Sequence, residues 1–462
     1  MAKLNQYMFR EYDIRGQENA DELNNDSIYL IAKSYGTFLR KRGITDAVVG
    51  HDNRKSSEDF YEICSKSLRE TGVSVIGLGV GTTPMMYWSQ YHFQTKGGLM
   101  VTASHNPAGW NGMKLALDLS YTLIGDELQE IRRVAEAEEF EKGEGSFKEE
   151  NILDVYIDDL VSRAKLHRPL KILLNTANAT SSFVSPKLLK KFGCEVVEHN
   201  TDPDPTYPNY VPNPANVEMM EDTGRQVTKN GCDLGIAIDA DGDRLGVTDE
   251  KGQVIWPDRW IILLSRLVLQ KHPGAKIIFD VKVSEALPED IKAHGGVPIM
   301  WKTGHSYIKE KLHEEKAAFA GEMSGHIFFV EDFYGFDDAN FAALKLLEYI
   351  SQQKEPLSEI IAKTPYYVST PTYQAHCGDG VKYKIVEELT EQFKAEGYRV
   401  VDINGARVYI GDGWGLVRAS SNLPALVIRF ESKTQEGLEK IEKIFKDKFV
   451  KYPEIGTEWE PA

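Results

Sequence analysis

Short apolar runs rich in Val, Ile and Leu alternate along this chain with amphipathic stretches of helical period, and this alternation restarts twice after the first block. In the first block the runs lie at 47–50, 74–79 and 98–104. A helix is predicted from Ser56 or Ser57 to Arg69, and another at 126–139. Strands separated by helices of this length are typical of parallel α/β sheets.

Two further blocks repeat the pattern. The second consists of apolar runs at 171–175, 195–200 and 233–239 with a helix near 184–192. The third consists of a helix at 258–270, with Asp258 as its expected cap, and runs at 276–280, 297–301 and 317–322. Three similar blocks in one chain suggest a triplicated α/β unit.

The last ~95 residues differ from these blocks, at a size that fits one ordinary domain. A helix at 380–396 precedes several strands with tight glycine turns and a final helix near 435–449, which predicts an α+β domain. Polar, glycine- or proline-containing segments at 143–152, 249–257 and 364–371 are candidate boundaries. We place the domains at 1–148, 149–252, 253–366 and 367–462.

Charge and cysteine usage exclude several classes of protein. The 54 Lys and Arg against 70 Asp and Glu give a net charge of −16, which disfavours nucleic acid or an anionic membrane as a partner. The four cysteines form no C-x-x-C pair, so a disulfide scaffold is not expected. No secretory signal or membrane-spanning stretch is visible, and we expect a cytoplasmic protein that binds small molecules.

The clearest chemical signal is the loop DADGDR, which directly follows a predicted buried strand. Asp239, Asp241 and Asp243 stand at alternate positions. Three carboxylates so close together favour a hard cation such as Mg²⁺ over a solvated acidic turn. An EF-hand is excluded because its sixth position, which needs glycine, is Arg244, and because the flanks are predicted strands.

A second polar loop, TASHNP, follows a strand of the first block. Ser104 stands at the strand end and His105 follows it. The G-x-S-x-G pattern of α/β-hydrolases is absent. Together with a metal loop and Lys114, Ser104 is a candidate to carry a phosphoryl group, whereas alone it would be a turn residue.

Three more segments carry polar clusters. GEMSGH offers Glu322, Ser324 and His326, which suit the hydroxyl groups of a polyol but also fit a surface turn. RASSNLP, with Arg418, suits a phosphate group but also fits an ordinary hairpin. FREYDIRG is too polar for a core strand.

Taken in order, FREYDIRG (9–16), TASHNP (102–107), DADGDR (239–244), GEMSGH (321–326) and RASSNLP (418–424) resemble the α-D-phosphohexomutase family, and specifically its phosphomannomutase/phosphoglucomutase branch. The resemblance covers the whole chain. It implies three similar mixed α/β domains and a C-terminal α+β domain around a central active-site cleft. It also implies an isomerase that moves a phosphoryl group reversibly between the 1- and 6-positions of mannose or glucose phosphates.

The same resemblance assigns roles to residues. It implies that Ser104 becomes the phosphoserine and binds Mg²⁺ with the three aspartates, and that a hexose 1,6-bisphosphate is intermediate and activator. The other catalytic positions that it implies are His105, Lys114, Arg244 and His326. The substrate-binding positions are Tyr12, Arg15, Lys282, His305, Glu322, Met323, Ser324, Gly325, Arg418, Ala419, Ser420, Ser421 and Asn422. Leu423 departs from the family, which commonly has hydroxyl-bearing residues before the proline.

Other functions fit part of the pattern. An apolar strand followed by Asp-x-Asp is also typical of phosphatases with an aspartyl nucleophile, in which Asp239 instead of Ser104 would carry the phosphoryl group. A phosphoglucosamine mutase is a further alternative within the family. A sugar-phosphate-binding regulator without turnover is a third, although every reactive residue is present.

Overall fold

The computed structural model describes residues 4–421 and 423–461. They form two compact units. The first runs to Ile255 and adds Ser324–Ser358, and the second contains Trp256–Met323 and the chain from Glu359 onward. Within residues 4–421 and 423–461, no helix is both long and apolar enough to cross a membrane.

The first sheet, in unit 1, is mixed. Its strands are β1 (Ile14–Gln17), β2 (Asp46–His51), β3 (Ser74–Val80), β4 (Gly97–Val101), β5 (Trp110–Leu117), β6 (Tyr121–Thr122) and β7 (Phe147–Glu149). The strand order is β1-β5-β4-β2-β3-β7, with β6 paired to β5. Its helices are α1 (Asn25–Lys41), α2 (Ser57–Glu70), α3 (Thr83–Phe93) and α4 (Asp126–Ala137). The apolar faces of α1, α2 and α4 contribute to one core with this sheet.

The second sheet, also in unit 1, has the order β12-β11-β10-β8-β9. Its strands are β8 (Lys171–Asn175), β9 (Glu195–His199), β10 (Leu234–Ile238), β11 (Leu245–Asp249) and β12 (Val254–Ile255). The accompanying helices are α5 (Leu153–Ser162), α6 (Ser185–Phe192) and α7 (Val217–Asn230). Strands β8 and β10 are parallel, whereas β10 and β11 form an antiparallel hairpin whose loop is DADGDR.

The third block has parallel strands in the order β14-β13-β15. Its elements in unit 2 are α8 (Pro257–Lys271), β13 (Lys276–Asp280), α9 (Ala286–Ala293), β14 (Val297–Trp301), α10 (His305–Glu315) and β15 (Phe319–Gly321). The next elements are β16 (Ile327–Phe329) and α11 (Ala339–Gln352), which belong to unit 1, and then α12 (Leu357–Ala362).

The C-terminal block of unit 2 is an antiparallel sheet with two helices, as the α+β prediction requires. Its strands are β17 (Val368–Ser369), β18 (Tyr373–His376), β19 (Arg399–Val401), β20 (Ala406–Ile410), β21 (Gly413–Ala419), β22 (Ala425–Ser432) and β23 (Trp459–Pro461). The helices are α13 (Lys382–Ala395) and α14 (Gln435–Phe449), and both contribute apolar side chains to the core of the block.

The sheets of unit 1 are mixed, as the family resemblance implies, because short hairpins add antiparallel strands such as β5 and β11 to the parallel ones. Two local details differ from expectation. The end of FREYDIRG forms β1, which is the last strand at one edge of the sheet, beside β5, where polar residues are tolerated. Helix α8 begins at Pro257 with Trp256 as its N-cap, so Asp258 is not the cap.

Candidate active site

The DADGDR loop is folded around one carboxylate. Oδ1 of Asp239 accepts hydrogen bonds from the backbone N–H groups of Gly242, Asp243 and Arg244 at 3.0, 3.0 and 3.1 Å. Gly242 has φ +83°, and a Cβ there would lie 2.8 Å from the side chain of Thr82. The turn therefore requires glycine, and it brings the three aspartates together.

Each aspartate has one buried carboxylate oxygen that makes no well-formed hydrogen bond, although that of Asp243 lies 3.3 Å from His326 Nε2. Asp239 Oδ2, Asp241 Oδ1 and Asp243 Oδ1 are buried and accept no hydrogen bond from the described residues. A ligand oxygen from each of the three lies within 4.8 Å of the others. Buried carboxylate oxygens are costly unless they are paired or bind a metal. The chemistry and arrangement of the three donors fit a hard divalent cation such as Mg²⁺.

The other carboxylate oxygens of Asp241 and Asp243 contact a buried lysine from β5. Lys114 Nζ lies 2.7 Å from Asp241 Oδ2 and 2.5 Å from Asp243 Oδ2. Burial alone would lower the pKa of Lys114, but the two aspartates outweigh it and raise the pKa well above its usual value. Thr83 Oγ1 also donates to Asp241 Oδ2 at 2.6 Å. Lys114 thus stays charged in this site.

The aspartates differ in proton affinity. Burial and the charges of Asp243 and Asp241 raise the pKa of Asp239 well above its usual value. Burial also opposes the charge of Asp243, but Lys114 and other nearby cations hold the pKa of Asp243 well below its usual range. The carboxylate farthest from the lysine is therefore the one that most needs a cation.

Ser104 follows β4 in a conformation that serine rarely adopts. The φ of Ser104 is +50°, and the residue is 1 % exposed. Ser104 Oγ lies 3.1 Å from His105 Nδ1. Burial, and then the charges of Arg244 and Arg15, lower the pKa of His105 well below its usual value, so the ring is neutral at pH 7. A neutral imidazole can accept the hydroxyl proton at Nδ1.

Arg244, the last residue of DADGDR, contacts His326 from the GEMSGH segment of unit 1. Leu245 N donates to Gly325 O at 3.1 Å, which joins the GEMSGH loop to the end of DADGDR. Arg244 Nε donates to His326 Nε2 at 3.3 Å, and His326 Nδ1 lies 2.9 Å from Ser324 Oγ. His326 Nε2 also lies 3.3 Å from Asp243 Oδ1, so this nitrogen contacts both Arg244 and an aspartate of DADGDR.

Arg15, on β1, reaches the Ser104 loop. Its Nη1 donates to Asn106 Oδ1 at 2.9 Å, and its Nη2 lies 2.5 Å from Asp13 Oδ2. Burial would lower the pKa of Arg15, but Asp13 more than compensates and raises it. Neighbouring Tyr12 is also buried, at 9 % exposed.

Most of the predicted site residues lie in unit 1. They are Tyr12, Arg15, Ser104, His105, Lys114, the three aspartates, Arg244, Ser324, Gly325 and His326.

In unit 2 the first residues of GEMSGH are held by a backbone N–H group and by a buried aspartate. Glu322 Oε1 accepts from Gly304 N at 2.6 Å, just before His305 at the start of α10. Met323 N donates to Asp280 Oδ1 at 3.2 Å, and the same Asp280 lies 3.4 Å from Lys282 Nζ. These contacts bring Glu322, Met323 and Lys282 to the carboxyl end of β13.

The predicted phosphate loop joins β21 to β22. Arg418 and Ala419 end β21, and Ser420 N donates to Ala425 O at 2.9 Å. Lys382 Nζ donates to Ser420 O and Leu423 O at 2.5 and 2.9 Å. Leu423 therefore supports the loop through its main chain, while its side chain is 44 % exposed. Ser421 is partly buried, and Asn422 lies outside the described residues.

Several supporting residues were missed from the sequence, namely Asp13, Asp52, Arg54, Thr83, Asp280 and Lys382. Asp52 and Arg54 follow β2, and Thr83 follows β3, so the carboxyl ends of those strands were the available signal.

The comparisons with known proteins agree along the whole chain. Family profiles described as "Phosphoglucomutase/phosphomannomutase, alpha/beta/alpha domain I", "II" and "III" match residues 6–142, 154–252 and 256–367. The corresponding "C-terminal domain" profile matches 379–448. The predicted domain limits themselves stay predictions.

Individual relatives match over nearly their full length. A phosphomannomutase/phosphoglucomutase of Pseudomonas syringae is 37% identical over 95% of this chain and 94% of its own. A phosphoglucomutase of Neisseria gonorrhoeae is 38% identical over 96% of this chain and 97% of its own. The crystal structure of a Burkholderia thailandensis phosphoglucomutase/phosphomannomutase family protein is 35% identical with a TM-score of 0.91, over 98% and 99% of the two chains.

These names do not favour the aspartyl phosphatase, the phosphoglucosamine mutase or the regulator without turnover. The fold, the four domain matches and the relatives agree instead on one activity. The chain belongs to the phosphoglucomutase/phosphomannomutase family of α-D-phosphohexomutases, and is a phosphohexose mutase, an isomerase of carbohydrate metabolism.

Proposed function

We propose that the enzyme exchanges the 1- and 6-phosphates of both mannose and glucose through a phosphoserine at Ser104. The observation that supports this most directly is the pairing of Ser104 Oγ with the neutral His105 in unit 1, which also holds the three aspartates. A hydroxyl beside a neutral base and a cation site is suited to accept and return a phosphoryl group.

The proposed transfer has two balanced halves. In the first, the bond between Ser104 Oγ and phosphorus breaks, and a free sugar hydroxyl bonds to phosphorus. His326 takes the proton of that hydroxyl, Ser104 Oγ takes up a proton from solvent, and a hexose 1,6-bisphosphate results. In the second, the other phosphoryl group of the bisphosphate passes to Ser104 Oγ, whose proton goes to His105 Nδ1 and then to solvent. The sugar oxygen that leaves phosphorus recovers its proton from His326, so the net reaction is an isomerisation.

The chain's own cations stabilise the transferred charge. Lys114 stays protonated between Asp241 and Asp243, and Arg244 lies beside the same loop. Both can interact with phosphoryl oxygens in a buried, low-dielectric site. When bound by the three aspartates and the Ser104 oxygen, Mg²⁺ would supply further neutralisation of the phosphoryl oxygens.

Recognition of the substrate falls to two other loops in this proposal. Glu322 and Ser324 bind two sugar hydroxyls, and the Arg418 loop holds the phosphate that is not reacting. We accordingly assign the phosphoserine to domain 1–148, the metal to 149–252, the sugar to 253–366 and the non-reacting phosphate to 367–462. The further proposed substrate contacts are Tyr12, Arg15, Lys282, His305, Met323, Gly325, Ala419, Ser420, Ser421 and Asn422.

The same scheme makes the hexose 1,6-bisphosphate an activator, because it restores the phosphoserine after accidental dephosphorylation. It also makes the enzyme a phosphoprotein in its active form. A cytoplasmic location, where hexose phosphates occur, fits this function.

A coupled assay tests the proposal. Enzyme primed with glucose 1,6-bisphosphate and Mg²⁺ is supplied with mannose, glucose or glucosamine 1-phosphate. We expect turnover of mannose and glucose 1-phosphates, and at least a thousandfold lower kcat for Ser104→Ala. Ser89→Ala is the matched control, because Ser89 is also buried in unit 1 but donates only to Met86 O in α3. Full activity of Ser104→Ala would refute the phosphoserine.

A further inference from the structure

Arg54 uses every donor of its guanidinium on the base of the Ser104 loop. The side chain is almost completely buried, at 4 % exposed. An arginine has five N–H donors, and here each has an acceptor. These acceptors are Asp52 Oδ2 (3.0 Å) and the carbonyl oxygens of Ser104 (2.6 Å), Asn106 (2.7 Å), Pro107 (2.9 Å) and Trp110 (3.1 Å).

The guanidinium is itself fixed in place. Asp52 is fully buried, and its Oδ1 accepts from Arg54 N at 3.0 Å and from Ser57 Oγ at 2.5 Å. Ser57 is the first residue of α2. Arg54 is thus tied to the first sheet and its helix on one side and to the 104–110 loop on the other.

The loop needs such support because of Ser104. Its φ of +50° lies in the left-handed region, which is disfavoured for every residue that carries a Cβ. A strained conformation persists only where its surroundings impose it. Thr102 Oγ1 accepts from Ser104 N at 2.9 Å, and Arg54 holds Ser104 O, so the backbone polar groups on both sides of its Cα are fixed.

We propose that Arg54 is a positioning residue for phosphoryl transfer, which holds the backbone of Ser104 left-handed so that Oγ faces His105 Nδ1. This inference rests on the proposed role of Ser104. Arg54 acts through the loop, since its five donors are all occupied by the protein. Lysine at this position would keep the charge but, with three donors on a single nitrogen, could not bridge four carbonyl groups.

The test is the rate at which Ser104 is phosphorylated. Dephosphorylated wild type and Arg54→Lys are mixed with glucose 1,6-bisphosphate and Mg²⁺, and the mass increase is followed by rapid quench and intact-mass measurement. We expect the rate of phosphorylation and kcat to fall at least tenfold in Arg54→Lys, with KM for glucose 1-phosphate changed less than threefold. A rate within twofold of wild type would overturn the proposal.

Loss of stability alone must be distinguished from loss of positioning. Ile131→Ala removes buried side-chain volume from α4 in the same core without touching the loop. It should lower the melting temperature but keep the phosphorylation rate within twofold. An equal loss of phosphorylation rate in Ile131→Ala would show that the Arg54 effect comes from lower stability alone, and would refute the positioning role.

Two more variants complete the test. If Arg54→Lys does not fold, Asp52→Asn replaces the Nε acceptor, and we expect at least a threefold slower phosphorylation, whereas an unchanged rate refutes the proposal. Ser104→Ala is run in parallel. If Ser104→Ala gains no mass and has no turnover, the proposed phosphoserine is supported, and the Arg54 variants then test only the positioning role of Arg54. If it retains turnover, both proposals fail.

Discussion

Lys114 Nζ lies 2.7 Å from Asp241 Oδ2, and the two side chains are buried although 127 positions separate them in the chain. The contact joins β5 of the first sheet to the loop that follows β10 of the second sheet, within one compact unit. A buried cation therefore balances part of the negative charge of the aspartate cluster.

Removing that cation should destabilise the metal-free protein. We expect Lys114→Met to lower the free energy of unfolding by about 3–5 kcal/mol in EDTA, because two buried carboxylates lose their partner. Mg²⁺ should restore part of the loss. Urea unfolding in EDTA and in Mg²⁺ measures both effects. Lys96→Met is the control, since its partner Asp118 is exposed and such pairs contribute about 0–1 kcal/mol. An equally small loss in both variants would contradict this account.

Metal binding should release protons. The pKa of Asp239 is raised by burial and by its acidic neighbours, so this carboxyl holds a proton at pH values where an ordinary aspartate has lost it. Mg²⁺ requires the carboxylate, and its affinity should therefore rise with pH. Isothermal titration calorimetry in buffers of different ionisation enthalpy should show the release in wild type. Titration of Asp239→Asn should show much weaker binding and no comparable release, and a buffer-independent enthalpy for wild type would argue against the assignment.

Asp338, the N-cap of α11, predicts a separate pH effect. Burial raises its pKa from 3.8 to about 7, although Tyr156 donates to its Oδ2 at 2.6 Å. The folded state binds the proton of Asp338 more tightly than the unfolded state does. Its contribution to the free energy of unfolding is therefore largest below pH ~4 and is lost as pH rises through about 7. The loss amounts to roughly 4 kcal/mol.

Asp338→Asn should remove this dependence. The amide oxygen can still accept from Phe341 N and cap the helix. The difference in unfolding free energy between wild type and variant, measured by urea titration from pH 4.5 to 7.5, should change steadily in favour of the variant. A difference that is constant over this range would show that Asp338 titrates normally.

Ala177 predicts an effect of backbone conformation. Its φ is +49°, in the left-handed region that favours glycine. A left-handed alanine costs roughly 1–2 kcal/mol. We expect Ala177→Gly to be about 1 kcal/mol more stable than Ala179→Gly, because Ala179 is equally buried but has φ −95°. Thermal unfolding compares them, and equal stabilities would refute the strain.

Which candidate side chains would lie together could be predicted where the position of a strand and the type of the residue after it point the same way. Ser104 and Asp239 each follow an apolar strand that lies inside a sheet, and ligands collect at the carboxyl ends of parallel strands. The spacing of the three aspartates also predicted their convergence. The exclusion of an EF-hand is also confirmed, because the loop is flanked by the strands β10 and β11 and not by helices.

What could not be predicted depends on long-range partners. Arg54 binds main-chain carbonyl groups, which every sequence has, so no residue pattern marks its acceptors. Asp258 resembled a helix cap, but its carboxylate lies 2.7 Å from Arg429 on β22. Arg15 looked too polar for a strand, and only the folded chain supplies Asp13 and Asn106 as its partners.

The central claim is that Ser104 carries the phosphoryl group, and mapping of the labelled enzyme tests it most directly. Wild type is incubated with glucose 1,6-bisphosphate and Mg²⁺, digested, and sequenced by mass spectrometry before and after acid and base treatment. We predict one phosphoryl group, stable to acid, on the peptide that contains Ser104. A base-labile phosphoryl group on the peptide that contains Asp239, or mutase turnover with no covalent phosphoryl group at all, would contradict the account.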